Sequence, residues 1–179
     1  MKRKTLDLAL CALFSAVIAA CAWISIPAGS VPFTLQTFAV FAALGLLGGK
    51  RGTISIAVYL LLGAVGLPVF AGFQGGIGAL LGTTGGYLVG FLLAGLVVWL
   101  AEARFGTKTG VFVAASVVGM LLCYAFGTAW FLVVYARTKG AITLATALGW
   151  CVLPFLLPDA AKLALAVLVR ARLRRFVPV

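Results

Sequence analysis

Six apolar runs, each closed by glycine, proline or cations, dictate what this chain can become. They cover residues 5–26, 34–48, 53–67, 83–101, 110–135 and 141–169. A helix crossing the hydrocarbon core of a bilayer needs about 20 apolar residues, or ~17 at the short end. The punctuation is as telling as the runs. Pro27, Gly29 and Pro32 end the first, Gly48-Gly49-Lys50-Arg51-Gly52 the second, and Pro68 the third. A glycine-rich stretch, 71–78, follows, and Glu102, Arg104 and Lys108 close the fourth run. The second and third runs are short. The sixth is too long for one span, and because proline breaks the helical ladder, its part before Pro154 reads as a loop or a separate short helix.

A chain that is 64% hydrophobic and 9% charged, with a mean hydropathy of +1.23, has too little polar surface to stay in water. The pattern therefore predicts one all-α transmembrane domain, 1–179, with six transmembrane helices. Lys2, Arg3 and Lys4 ahead of the first run resemble the n-region of a signal peptide. That run is long enough to span and others follow, so it is expected to remain as the first helix.

The net charge of +11 does not point to nucleic acid, because the cations sit at the edges of apolar runs rather than along a stripe interleaved with aromatics. Their placement gives orientation instead. With the N-terminus cytoplasmic, eleven Lys and Arg fall on the cytoplasmic side and two, Arg137 and Lys139, on the outer side, while Lys162 lies within the membrane. Both termini are thus expected in the cytoplasm, with outer loops at 27–33 and 68–82.

Little in the chain can do covalent chemistry. Cys11, Cys21, Cys123 and Cys151 lie inside apolar runs with no C-x-x-C spacing and read as small hydrophobes. There is no His, hence no usual zinc or general-base design, and no metal or cofactor is expected. Gly49-Lys50 is followed by Arg51 rather than Ser or Thr, and Leu44 stands where a P-loop begins, so the chain is not its own ATPase. Energy for any active transport must come from a partner or an ion gradient.

The most informative residues are Asp159 and Lys162, at i and i+3 in the last run and so on one helix face. Ionisable groups at membrane depth are costly and usually functional. The structural alternatives are an ion pair, or Asp159 capping a helix that starts behind Pro158. Asp7 is expected to meet headgroups or Lys4, and Glu102 to be a solvated boundary residue. Ala12, Ala16 and Ala20 form a smooth ridge on the first helix, and Gly86 and Gly90 a GxxxG on the fourth. Either suits internal packing or a docked partner. Phe33, Phe70, Phe73, Tyr87, Tyr124 and Trp130 lie toward the outer side, where an aromatic belt and a pocket wall are both in character.

The chain resembles the BioY family, the substrate-capturing S components of bacterial biotin transporters of the energy-coupling-factor (ECF) class, over nearly its whole length. The resemblance is carried by Val31-Pro-Phe-Thr-Leu-Gln-Thr-Phe38, by Gly63-Ala-Val-Gly-Leu-Pro-Val-Phe-Ala-Gly-Phe73 with Gly75-Gly76, and by Thr84-Gly-Gly-Tyr-Leu-Val-Gly-Phe91. Tyr124, Gly127 and Trp130 match the fifth helix, and Pro154-Phe155 with Asp159 and Lys162 the sixth. Pro158 departs from the family, which has Gly before this Asp. The resemblance implies a multi-pass protein of the bacterial cytoplasmic membrane that holds biotin near the outer surface. Its implied partners are a transmembrane coupling subunit, docked on the Ala12/Ala16/Ala20 ridge, and two ATPases.

Such a ligand suits the residues. A carboxylate accepts the ureido N–H groups, and an ammonium serves the ureido carbonyl or the carboxylate tail. Since an Asp–Lys pair is already neutral, backbone N–H groups of the glycine-rich loop, or the hydroxyls of Thr83 and Thr84, are expected to help hold the tail. The candidate substrate-binding residues are Asp159, Lys162, Tyr87, Gly86, Thr84, Thr83, Phe73 and Phe33. A stand-alone ion-coupled carrier is the second reading, separable by whether uptake follows an ion gradient without ATPases. A membrane enzyme ranks last, for want of His, paired acids or a metal-ligand cluster.

Overall fold

The computed structural model describes residues 3–26 and 31–176, and part of the first expected loop, 27–30, lies outside the described residues. The chain is nearly all helix: α1 (Arg3–Trp23), α2 (Gln36–Leu47), α3 (Gly49–Ala64), α4 (Ile77–Leu81), α5 (Gly85–Phe105), α6 (Thr109–Thr138), α7 (Leu144–Cys151) and α8 (Leu153–Leu173). Two-residue strands, β1 (Ser25–Ile26) and β2 (Phe33–Thr34), pair antiparallel between α1 and α2.

Among the described residues, four helical stretches are long and apolar enough to cross a membrane: Lys4–Trp23, Gly85–Phe105, Thr109–Thr138 and Leu144–Phe176. The protein is therefore a multi-pass helical membrane protein. With 12 and 16 residues, α2 and α3 rise only about 18 and 24 Å, less than the hydrocarbon thickness of about 30 Å. They join at Gly48, whose φ of +81° turns the chain where a side chain would be strained. Every residue of α2 except Phe38 is buried, packed by α1, α3, α5 and α8. A helix that is apolar all round belongs in such a central place.

The most extensive pairing is the antiparallel α5–α6 hairpin. Its glycines explain the fit. A Cβ on Gly90 would lie 2.6 Å from Cys123 Sγ, and one on Gly86 would overlap the Trp130 side chain. The GxxxG of α5 thus serves internal packing. The sixth run divides as expected, into α7 and α8, but α8 continues through Pro158. Asp159 consequently sits inside the helix, not at its cap. The expected 68–82 loop folds into a 3-10 turn at Ala71–Phe73 and the short α4. Phe70 is buried edge-on to the Tyr59 ring, at 5.5 Å.

Two acids depart from the expectations above. Glu102 is not solvated: it is buried, its Oε1 accepts from Arg170 Nη1 at 3.2 Å and its Oε2 from the Gly49 N–H at 2.6 Å. Arg170, also buried, donates to the Thr107 carbonyl at 2.7 Å and lies 4.4 Å from the Phe112 ring. This knot binds the start of α3, the end of α5, the α5–α6 turn and the end of α8. Glu102 is buried because helices converge there, which hydropathy along the chain does not register. Asp7 pairs with Arg51 at 3.0 Å rather than with Lys4, so α1 and α3 are tied at the same end.

Candidate ligand site around the Asp159–Lys162 pair

Helix α8 sets Asp159 and Lys162 three residues apart on its inward face, and both are buried. Lys162 Nζ donates to Asp159 Oδ1 at 2.8 Å, and Tyr124 Oη on α6 donates to Asp159 Oδ2 at 2.7 Å. Lys162 Nζ also stands 3.9 Å from the centre of the Phe33 ring, which stacks on Phe155 at 6.2 Å. The ammonium thus meets a carboxylate and the negative face of an aromatic ring. The β1–β2 ribbon holds Phe33 in place by pairing Ile26 with Phe33, and Leu35 N–H donates to the Ile24 carbonyl at 3.2 Å.

These groups open onto a cavity of about 100 Å³ between α2, α5, α6, α7 and α8. Its apolar wall includes Phe41, Leu88, Phe91, Met120 and Phe155, and its polar groups include Gln36, Thr84, Tyr87, Tyr124, Asp159 and Lys162. An apolar space with a few fixed polar groups is the usual form of a small-molecule site. Gln36 Nε2 donates to Tyr59 Oη at 3.0 Å, and Tyr87 Oη shares a 2.9 Å hydrogen bond with Thr128 Oγ1. These bonds fix both side chains before any ligand arrives.

The structure brings together Asp159, Lys162, Tyr87 and Thr84 at the cavity, with Phe33 against the ammonium. It places three other candidates elsewhere. Phe73 is 64% exposed and stacks on Trp23 at 5.2 Å, Gly86 is pressed against Trp130, and Thr83 does not line the cavity. Ala71 alone of the glycine-rich stretch reaches the lining. Ala12, Ala16 and Ala20 are all exposed on α1.

Sequence reasoning passed over Gln36, Thr34 and Thr37, polar residues at the entry to an otherwise apolar helix, all of them lining the cavity. Their signal was that very contrast. Cys123 and Cys151 also line it. Nothing in their apolar surroundings along the chain distinguishes them from core residues.

A helical bundle built for the bilayer, with a mostly apolar cavity beside a buried ion pair, defines a multi-pass membrane protein with a cavity of the form that small-molecule sites take. The family model for BioY matches residues 1–179, and the chain belongs to the BioY family. It is 44% identical over 163 residues to the biotin transporter BioY of Thermotoga maritima, covering 91% of this chain and 92% of that one. It is 42% identical over 171 residues to a probable biotin transporter BioY of Pyrococcus horikoshii, covering 96% and 98%. Among solved structures it is similar to the S-component for biotin from an ECF-type ABC transporter, with a TM-score of 0.83, 30% identity, and 98% and 95% of the two chains covered.

Proposed function

We propose that this chain captures biotin at the membrane as the S component of an ECF-type transporter. It is a transport subunit and not an enzyme. The observation that carries the site is the buried Asp159–Lys162 pair, held by Tyr124 and opening onto the cavity. Asp159 accepts the ureido N–H groups, Lys162 serves the ureido carbonyl or the carboxylate, and the apolar wall takes the sulfur ring and chain. Thr84 lines the cavity, which supports a role for its hydroxyl at the tail; Thr84→Val is the variant that probes it.

The chain acts as a single domain with six spans and both termini in the cytoplasm of a bacterial cell. The eleven-to-two distribution of Lys and Arg supports this orientation. The short α2 and α3 count as two spans, crossing with the help of the helices around them. A transmembrane coupling subunit docks on the exposed Ala12/Ala16/Ala20 ridge, where small residues allow close approach, and two ATPases supply the energy.

Calorimetry of biotin binding to the purified protein tests the assignment. Hydrogen bonds to charged groups contribute about 1.5–3 kcal/mol, so Asp159→Asn and Lys162→Ala are each expected to weaken binding by about tenfold or more. No binding by the wild type removes biotin as the ligand. Binding that survives both substitutions in folded protein moves the site away from α8.

A further inference from the structure

A second depression, of about 430 Å³, lies on the outer face of the α5–α6 hairpin, away from the ligand cavity. Leu93, Leu96, Val97, Leu100, Leu122 and Phe126 line it. Its lining side chains are all apolar, and Leu96, Leu100, Leu122 and Phe126 are exposed on two helices long and apolar enough to cross a membrane. Its α5 wall runs on without a break into charge. Leu93, Val97, Leu100 and Arg104 recur at spacings of four, three and four, which is one helical stripe. Arg104 is exposed one turn beyond the end of the groove.

Among the described residues, no acid pairs with the cation at that end. Glu102, the nearest acid in sequence, has both oxygens engaged, by Arg170 and by the Gly49 N–H. Lys108 is exposed across the α5–α6 turn. Neither Arg104 nor Lys108 makes an ion pair among the described residues. Arg174 Nη1 donates to the Thr107 carbonyl at 3.0 Å, bringing a further positive charge to the same turn.

The geometry points to a site for one anionic phospholipid on this face, its acyl chain in the α5–α6 groove and its phosphate on Arg104 and Lys108. A groove open to the bilayer that ends on two uncompensated cations matches an apolar chain joined to an anionic head. An acidic protein surface would match the cations but not the groove. Cations at a membrane surface attract anionic lipid by roughly fivefold in affinity each.

The test is native mass spectrometry of the full chain released from detergent, titrated with phosphatidylglycerol or phosphatidylcholine bearing the same acyl chains. One phosphatidylglycerol should be retained, with a preference on the order of tenfold or more. Arg104→Gln with Lys108→Gln should erase that preference, and Leu96→Trp, which fills the groove, should reduce retention of both lipids. Arg137→Gln with Lys139→Gln, which removes equal charge at the far end of α6, should change nothing. Biotin affinity reports on folding in every variant. Equal retention of the two lipids overturns the proposal. So does a preference that survives Arg104→Gln with Lys108→Gln, or one lost equally in the Arg137/Lys139 control. Unchanged lipid retention with weakened association to partner subunits would assign the cations to a protein surface instead.

Discussion

Lys162 carries three N–H donors into a place where Asp159 is its one hydrogen-bond partner among the described residues. The Phe33 ring takes a second side of the ammonium. A donor is thus left for a ligand on the side that opens onto the cavity. Tyr124 completes this arrangement from the other side. Its 2.7 Å hydrogen bond to Oδ2 fixes the carboxylate plane, and hydrogen bonds to charged groups contribute about 1.5–3 kcal/mol. Tyr124→Phe should therefore weaken biotin binding by about tenfold or more while leaving the bundle folded, as read by calorimetry beside a melting curve. An unchanged affinity would mean that Lys162 alone positions Asp159.

At the scale of elements, two features set the site. The first is the helix α8, which runs through Pro158. Proline removes one intrahelical hydrogen bond, that to the Pro154 carbonyl, yet packing holds the helix on course and Asp159 inside it. The second is the α5–α6 hairpin, whose closeness depends on glycine. Gly90→Leu places a branched side chain where Cys123 already sits, and overpacking of this kind costs about 1–3 kcal/mol. Such a loss should lower Tm by about 3–10 °C. Because Cys123 lines the cavity, biotin binding should weaken as well. A variant that melts normally would show that the hairpin spreads without cost.

For the whole molecule, the Asp159–Lys162 and Glu102–Arg170 ion pairs lie toward opposite ends of α8. Asp159 and Arg170 are eleven residues apart, about 16 Å along the helix. The Glu102–Arg170 knot gathers four segments, so Glu102→Gln or Arg170→Met alone should destabilise the fold by about 3–5 kcal/mol, and the double variant by less than either. Thermal melts of the three proteins check this, and additive losses would show that the two side chains act independently. Topology is testable on the same scale. With the four native cysteines replaced, Lys139→Cys should react with an impermeant maleimide in intact cells, and Lys50→Cys only after permeabilisation. Labelling of Lys50→Cys from outside would mean that α2 and α3 do not cross as a pair.

Apolar runs and their punctuation determined a great deal about this protein on their own. Membrane residence, helical class and the inward-facing pair on the last run all follow from the cost of exposing apolar surface to water and charge to lipid, which is written residue by residue along the chain. Even the division of the last run at Pro154 was legible, because proline acts locally. The tertiary structure alone decided what depends on distant segments meeting. It drew Gln36, Thr34 and Thr37 into the cavity wall, set Tyr124 on Asp159, turned Phe73 away to Trp23, and buried Glu102 against Arg170 across 68 residues. Burial and hydrogen bonding at these positions are properties of packed helices, and no period or spacing within one helix encodes which neighbour its face will meet.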